Sequence, residues 1–114
     1  MAGGGRFILS VKTGITIDSI TSLAIYNAQG TALCTFNTVQ RGNTPPAQWP
    51  TGTTIYVVTP AGAQGAIANP GDTIQIYGTC TGGAGSLSRG LRYQVQLVYT
   101  SGGQTRTQTF DWMT

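Results

Sequence analysis

Apolar and polar residues alternate along most of this chain, most plainly in "GLRYQVQLVYTSGGQTRTQTFDW" at residues 90–112. A period of two with enrichment in Val, Ile, Thr and Tyr, bounded by Gly, Pro and Asn, is the signature of half-buried strands. It predicts strands near 6–12, 20–27, 31–37, 53–59, 72–80, 91–100 and 104–112. No stretch of useful length carries the 3.6-residue period of an amphipathic helix. The expectation is an all-β fold: a single immunoglobulin-like antiparallel β-sandwich of about seven strands, spanning 6–114 behind a flexible N-terminus at 1–5.

The segments between strands carry their own signals. "YNAQGTA" (26–32) and "TSGGQT" (100–105) read as hairpin connections, because Asn and Gly supply the positive φ that tight turns need. Pro70 and Gly71 begin a turn into the strand that starts near Asp72. "TGGAGSLSRG" (81–90) reads as a flexible polar loop; no helix follows it, so its glycines make no phosphate cradle. "QRGNTPPAQWPTG" (40–52) contains three prolines with Gly42 and Gly52, which forbid a central strand and leave an extended loop. Trp49 inside it has two readings, a lid folded back on the core or an exposed aromatic anchor for a partner.

On the strand near 91–100, Leu91, Tyr93, Val95, Leu97 and Tyr99 share one face and Arg92, Gln94, Gln96, Val98 and Thr100 the other. On the strand that follows, Arg106 and Gln108 stand with Phe110 and Trp112, opposite a ladder of Thr105, Thr107 and Thr109. Pattern alone does not say which set of that strand is inside. Arg92, Gln94, Gln96, Arg106, Gln108, Trp112 and the loop residue Trp49 are therefore the candidate interaction surface. Three readings compete for the polar row: the wet face of a structural subunit, a surface of amides and rings for glycan or another subunit, or a base-stacking sheet using Arg89, Arg92 and Arg106. The last lacks a basic groove.

Composition narrows the chemistry. The 114 residues suit one domain, and charged residues make up only 8% of them, with hydroxyls, amides and glycine in their place. The net charge of +3 comes from six basic residues, scattered along the chain with no polybasic run, against three acids. Asp18, Asp72 and Asp111 are the only acids, and His and Glu are missing altogether. General acid–base catalysis, nucleophile activation and zinc or calcium ligation all draw on that inventory, so the expectation is a protein that is no enzyme and holds no cofactor or metal. No run approaches the roughly 20 apolar residues of a membrane span.

Cys34 and Cys80 both fall in predicted strands. Joined, they close a loop worth about 4 kcal/mol in unfolded-state entropy and suit an oxidising compartment or a hyperthermophile interior. Unjoined, they are two buried thiols serving as small apolar residues; strand placement favours the bridge. Cys34, Trp49 and Cys80 follow the Cys, Trp, Cys order of immunoglobulin domains, but Trp49 stands between prolines and Gly78 occupies the place of the corner tyrosine, which argues against true membership.

Three stretches, "ITIDSITSLAIYNAQGT", "NPGDTIQIYG" and "GLRYQVQLVYTSGGQTRTQTF", together resemble the β-sandwich head of archaeal type IV pilins and archaellins over roughly residues 15–112. The resemblance implies a structural subunit of a surface filament, extracellular, assembling with copies of itself, its head facing outward and stapled by a disulfide. The family's processing site and long apolar N-terminal helix do not stand before Arg6. The expectation is thus the head of such a subunit or a relative that assembles by other means, for instance by exchanging "RFILSVK" between copies. A small capsid, tail or fibre protein of an archaeal virus would share the composition, and a glycan-binding adhesion module is the further alternative.

Overall fold

The computed structural model describes residues 6–60, 62, 64–80 and 90–113. The N-terminal residues 1–5 and most of the loop at 81–90, Arg89 included, lie outside the described residues. In chain order the strands are β1 (Arg6–Lys12), β2 (Ser19–Tyr26), β3 (Ala32–Phe36), β4 (Thr38–Gly42), β5 (Thr54–Val58), β6 (Thr73–Thr79), β7 (Arg92–Ser101) and β8 (Gln104–Met113). They form two four-stranded sheets, ordered β1-β6-β5-β4 and β3-β2-β7-β8, packed face to face with no helix among the described residues. The expected all-β sandwich is what the alternation builds.

The inner rows supply one continuous core. Phe7, Leu9 and Val11 of β1, Ile55 and Val57 of β5, and Ile74 and Ile76 of β6 meet Leu23 and Ile25 of β2, Leu33 and Phe36 of β3, and Tyr93, Val95, Leu97 and Tyr99 of β7. Fully burying a side chain of this size contributes about 1.5–3 kcal/mol, so the apolar half of each alternation needs no ligand to explain it. Phe7 sits edge-on to Phe36 at 5.6 Å between ring centres and tilts against Trp112 at 5.8 Å, linking both edges of the second sheet to an edge of the first.

Turn chemistry falls where the residues require it. Gly71 at φ 91° and the Asp72 N–H donating to Asn69 O make a turn with Pro70 and Gly71 at its centre. Asn27 closes the β2–β3 connection by accepting the Gln29 and Thr31 N–H groups on its side-chain oxygen.

The structure departs from expectation in the stretch at 40–52. Its first residues belong to an eighth strand, β4, which lies parallel to β5 with Thr38 opposite Thr54 and Gly42 opposite Val58. Only Asn37 separates β3 from β4, so the chain crosses directly from one sheet to the other. Gly42 looked like a strand breaker; instead it makes room, because the phenol of Tyr56 occupies the space a Cβ there would take. The prolines follow at 45, 46 and 50, beyond the strand, and β4 is an edge. The segment "RFILSVK" is seated in its own sandwich: β1 pairs with β6 in unbroken antiparallel register from Arg6–Thr79 to Lys12–Thr73.

Candidate interaction surfaces

β7 and β8 form a hairpin whose ten opposed pairs run without a register shift from Arg92–Met113 to Ser101–Gln104. Opposed residues share a face, so the buried row Tyr93, Val95, Leu97, Tyr99 continues on β8 as Trp112, Phe110, Gln108, Arg106. The polar row expected as one surface is therefore split. Arg92, Gln94 and Gln96 are on the outer face of the second sheet, whereas Arg106, Gln108 and Trp112 are on the inner side of its last strand. The alternation was right for each strand; what sequence lacked was the phase between them, which the two-residue turn sets. Gln96 is also engaged, accepting the Tyr26 phenol at 3.0 Å.

The same split separates Arg92 from Arg106, so these two do not line one stacking face. Arg92, Gln94 and Asp111 instead border a small hollow of about 220 Å³ with Ala28 and Tyr93.

β8 is unusual in its exposure. Phe110 and Trp112 are half-buried against the core, but Gln104–Thr109 is exposed on both faces, inner-row Arg106 and Gln108 included. β7 lies on one side of β8 and, among the described residues, no strand lies on the other. Met113 and Leu91, 60% and 52% exposed, add apolar surface at the far end of the hairpin.

The outer face of the first sheet holds Trp49. It caps neither the core nor a free surface: the proline-rich loop lies across the sheet, with Trp49 half-buried against Tyr77 at 5.4 Å between ring centres and the Arg6 guanidinium 5.7 Å over its ring. The Thr79 hydroxyl donates to Pro50 O at 2.7 Å and pins the loop there. In this placement Trp49 holds its own loop, a role neither reading of the sequence named. Beyond it on the same face, Asn43, Val58, Thr59, Pro60, Thr73 and Gln75 border an open cleft of about 370 Å³.

One functional-looking arginine was missed. Arg41, on the inward side of edge strand β4, donates to the carbonyls of Gly65 (2.8 Å), Gln64 (3.3 Å) and Ala66 (3.2 Å), and its Nε is buried without a partner. A guanidinium fork gathering successive carbonyls is a loop clamp; a lone Arg before a Pro-rich segment carries no sequence signal for it. Two of the three carboxylates are likewise spent on turns. Asp18 accepts the Gly102 N–H at 2.8 Å and Asp72 accepts the Asn69 N–H at 2.9 Å.

Cys34 and Cys80 are joined, with Cα atoms 5.6 Å apart, so β3 at the edge of the second sheet is tied to the end of β6 in the first. Compared with known protein families and with curated proteins, the chain matches none.

Proposed function

We propose that this chain is a non-catalytic structural subunit that assembles with copies of itself, as the outward-facing head of an extracellular filament. One observation carries the reading: a ten-residue edge strand, β8, with its outer side unpaired among the described residues and six of its residues exposed on both faces. Most strands run about five or six residues, and long exposed edges are normally shortened or blunted because their backbone groups template pairing with another chain. Here the strand extends past what the core covers. A surface of hydroxyls and amides with few charges leaves little repulsion between copies, and the Cys34–Cys80 bridge suits an oxidising exterior.

Sedimentation of the full chain across a wide concentration range tests it. Reversible association in the micromolar range or below is expected, and a chain that stays monomeric throughout ends the reading. A glycan-binding role is the second reading, favoured by the uncharged amide- and hydroxyl-lined cleft at Asn43, Thr73 and Gln75. Glycan binding lost in Asn43→Ala and Gln75→Ala, in a monomer, would establish that one instead.

A further inference from the structure

The β8 edge also specifies how a second copy would sit, an inference that rests on the assembly reading above. The turn Gly102–Gly103 has φ of 61° and 81°, the geometry of a two-residue hairpin that closes on a hydrogen-bonded pair, here Ser101–Gln104. Hydrogen-bonded and non-bonded pairs alternate along an antiparallel ladder. Arg106, Gln108, Phe110 and Trp112 therefore spend their backbone groups on β7. The N–H and C=O groups of Thr105, Thr107, Thr109, Asp111 and Met113 point away from the sheet, where no strand of the described residues pairs with them.

We infer that two copies join antiparallel along β8 across a two-fold axis, merging their second sheets into one continuous eight-stranded sheet, with Thr109 opposite its own copy. Opposed residues must share a face, and the residues with free backbone groups must meet each other. With near-complete overlap, only two registers satisfy both: Thr109 on the axis or Gln108 on the axis. The first pairs Thr109 with Thr109, Thr107 with Asp111 and Thr105 with Met113, for about ten N–H···O bonds; the second loses the Met113 pair and makes about eight.

Side chains favour the first as well. Its closer, non-bonded pairs set Arg106 opposite Trp112 and Gln108 opposite Phe110, so each copy lays a cation and an amide over the other's half-buried rings. Arg6 over Trp49 shows the same pairing within the chain. Cation–ring complementarity selects a second copy and its direction. Antiparallel pairing sets Arg106 of each strand opposite Trp112 of the other, whereas parallel in-register pairing would set like on like. Such a contact is self-complementary and closes as a dimer, so a filament built on it joins such dimers through a second contact.

Two variants test it on the full chain. Thr109→Pro removes one outward N–H and leaves the β7 ladder whole, so a folded protein with dimer affinity weakened at least tenfold, about 1.4 kcal/mol, is expected. Thr109→Cys places two thiols across the axis at the roughly 5.5 Å Cα spacing that a disulfide accepts, so mild oxidation should give a covalent dimer with the Cys34–Cys80 bridge intact by mass. If Thr109→Pro proves unfolded, the cysteine variant still decides. Cross-linking through Gln108→Cys and not Thr109→Cys overturns the register. Association that neither variant touches overturns the seam while leaving assembly through another edge standing, and a wild-type chain monomeric at every concentration removes both.

Discussion

A Cβ added at Gly78 would fall 2.5 Å from the end of the Phe7 ring, inside any real contact distance, and the ring has no free space to retreat into because Phe7 is fully buried. The sequence showed Gly78 only as an interruption in a strand; its partner lies 71 positions away, opposite it in the β1–β6 register, and no local pattern reports that. Gly78→Ala is expected to cost about 1–3 kcal/mol through overpacking, and Phe7→Leu in the same chain should recover part of it. Urea denaturation of the two single variants and the double gives the coupling; strict additivity would show that the close approach is not what the glycine serves. Arg41 makes a parallel case. Arg41→Ala should lose about 1–3 kcal/mol with the bonds to residues 64–66, and Arg41→Lys should restore only part, since an ammonium lacks the fork. Full stability in the lysine variant would reduce the clamp to a simple charge.

Alternation and β-branched enrichment made most strands legible, so that β1, β2, β3, β5, β6, β7 and β8 lie within a residue or two of where the sequence puts them. β4 was not, because five residues containing Gly42 and running into a proline-rich loop carry too short a period, and a parallel edge partner leaves no local trace. The candidate surface was legible only strand by strand. Each strand's faces were readable, but the relation between Gln94 and Gln108 depends on the turn pairing Ser101 with Gln104, and a one-residue change there would have put Arg106 on the outer face. Seating of β1 in its own sheet has a consequence at this scale. Deleting residues 1–12 bares one side of β6 and removes Phe7, Leu9 and Val11 from the core, so stability should fall at every protein concentration. Circular dichroism melts over a hundredfold concentration range check this; a deletion that still folds but no longer associates would show instead that "RFILSVK" is exchanged between copies.

At the scale of the whole molecule, the two sheets are joined by a core of buried side chains, by the single-residue crossing at Asn37 and by one covalent tie, and these contribute differently to its persistence. The Cys34–Cys80 bridge spans a sequence separation of 46, which restricts the unfolded chain by about 4 kcal/mol in loop-closure entropy. Total stabilities of small domains are commonly about 5–15 kcal/mol, so the bridge is a large share without being the whole. A Cys34→Ala/Cys80→Ala chain is therefore expected to remain folded, since nineteen other buried apolar residues among those described still close the sandwich, but to melt about 10–20 °C lower. Its urea transition should also steepen: without the bridge the unfolded chain opens further and exposes more surface, which raises the dependence of stability on denaturant. The two signatures separate the possible origins of the effect. A lower midpoint with an unchanged slope would place the loss in the folded state, at the fully buried Cys80, whereas a lower midpoint with a steeper slope places it in the unfolded chain. No shift in either would remove the bridge as a stabiliser.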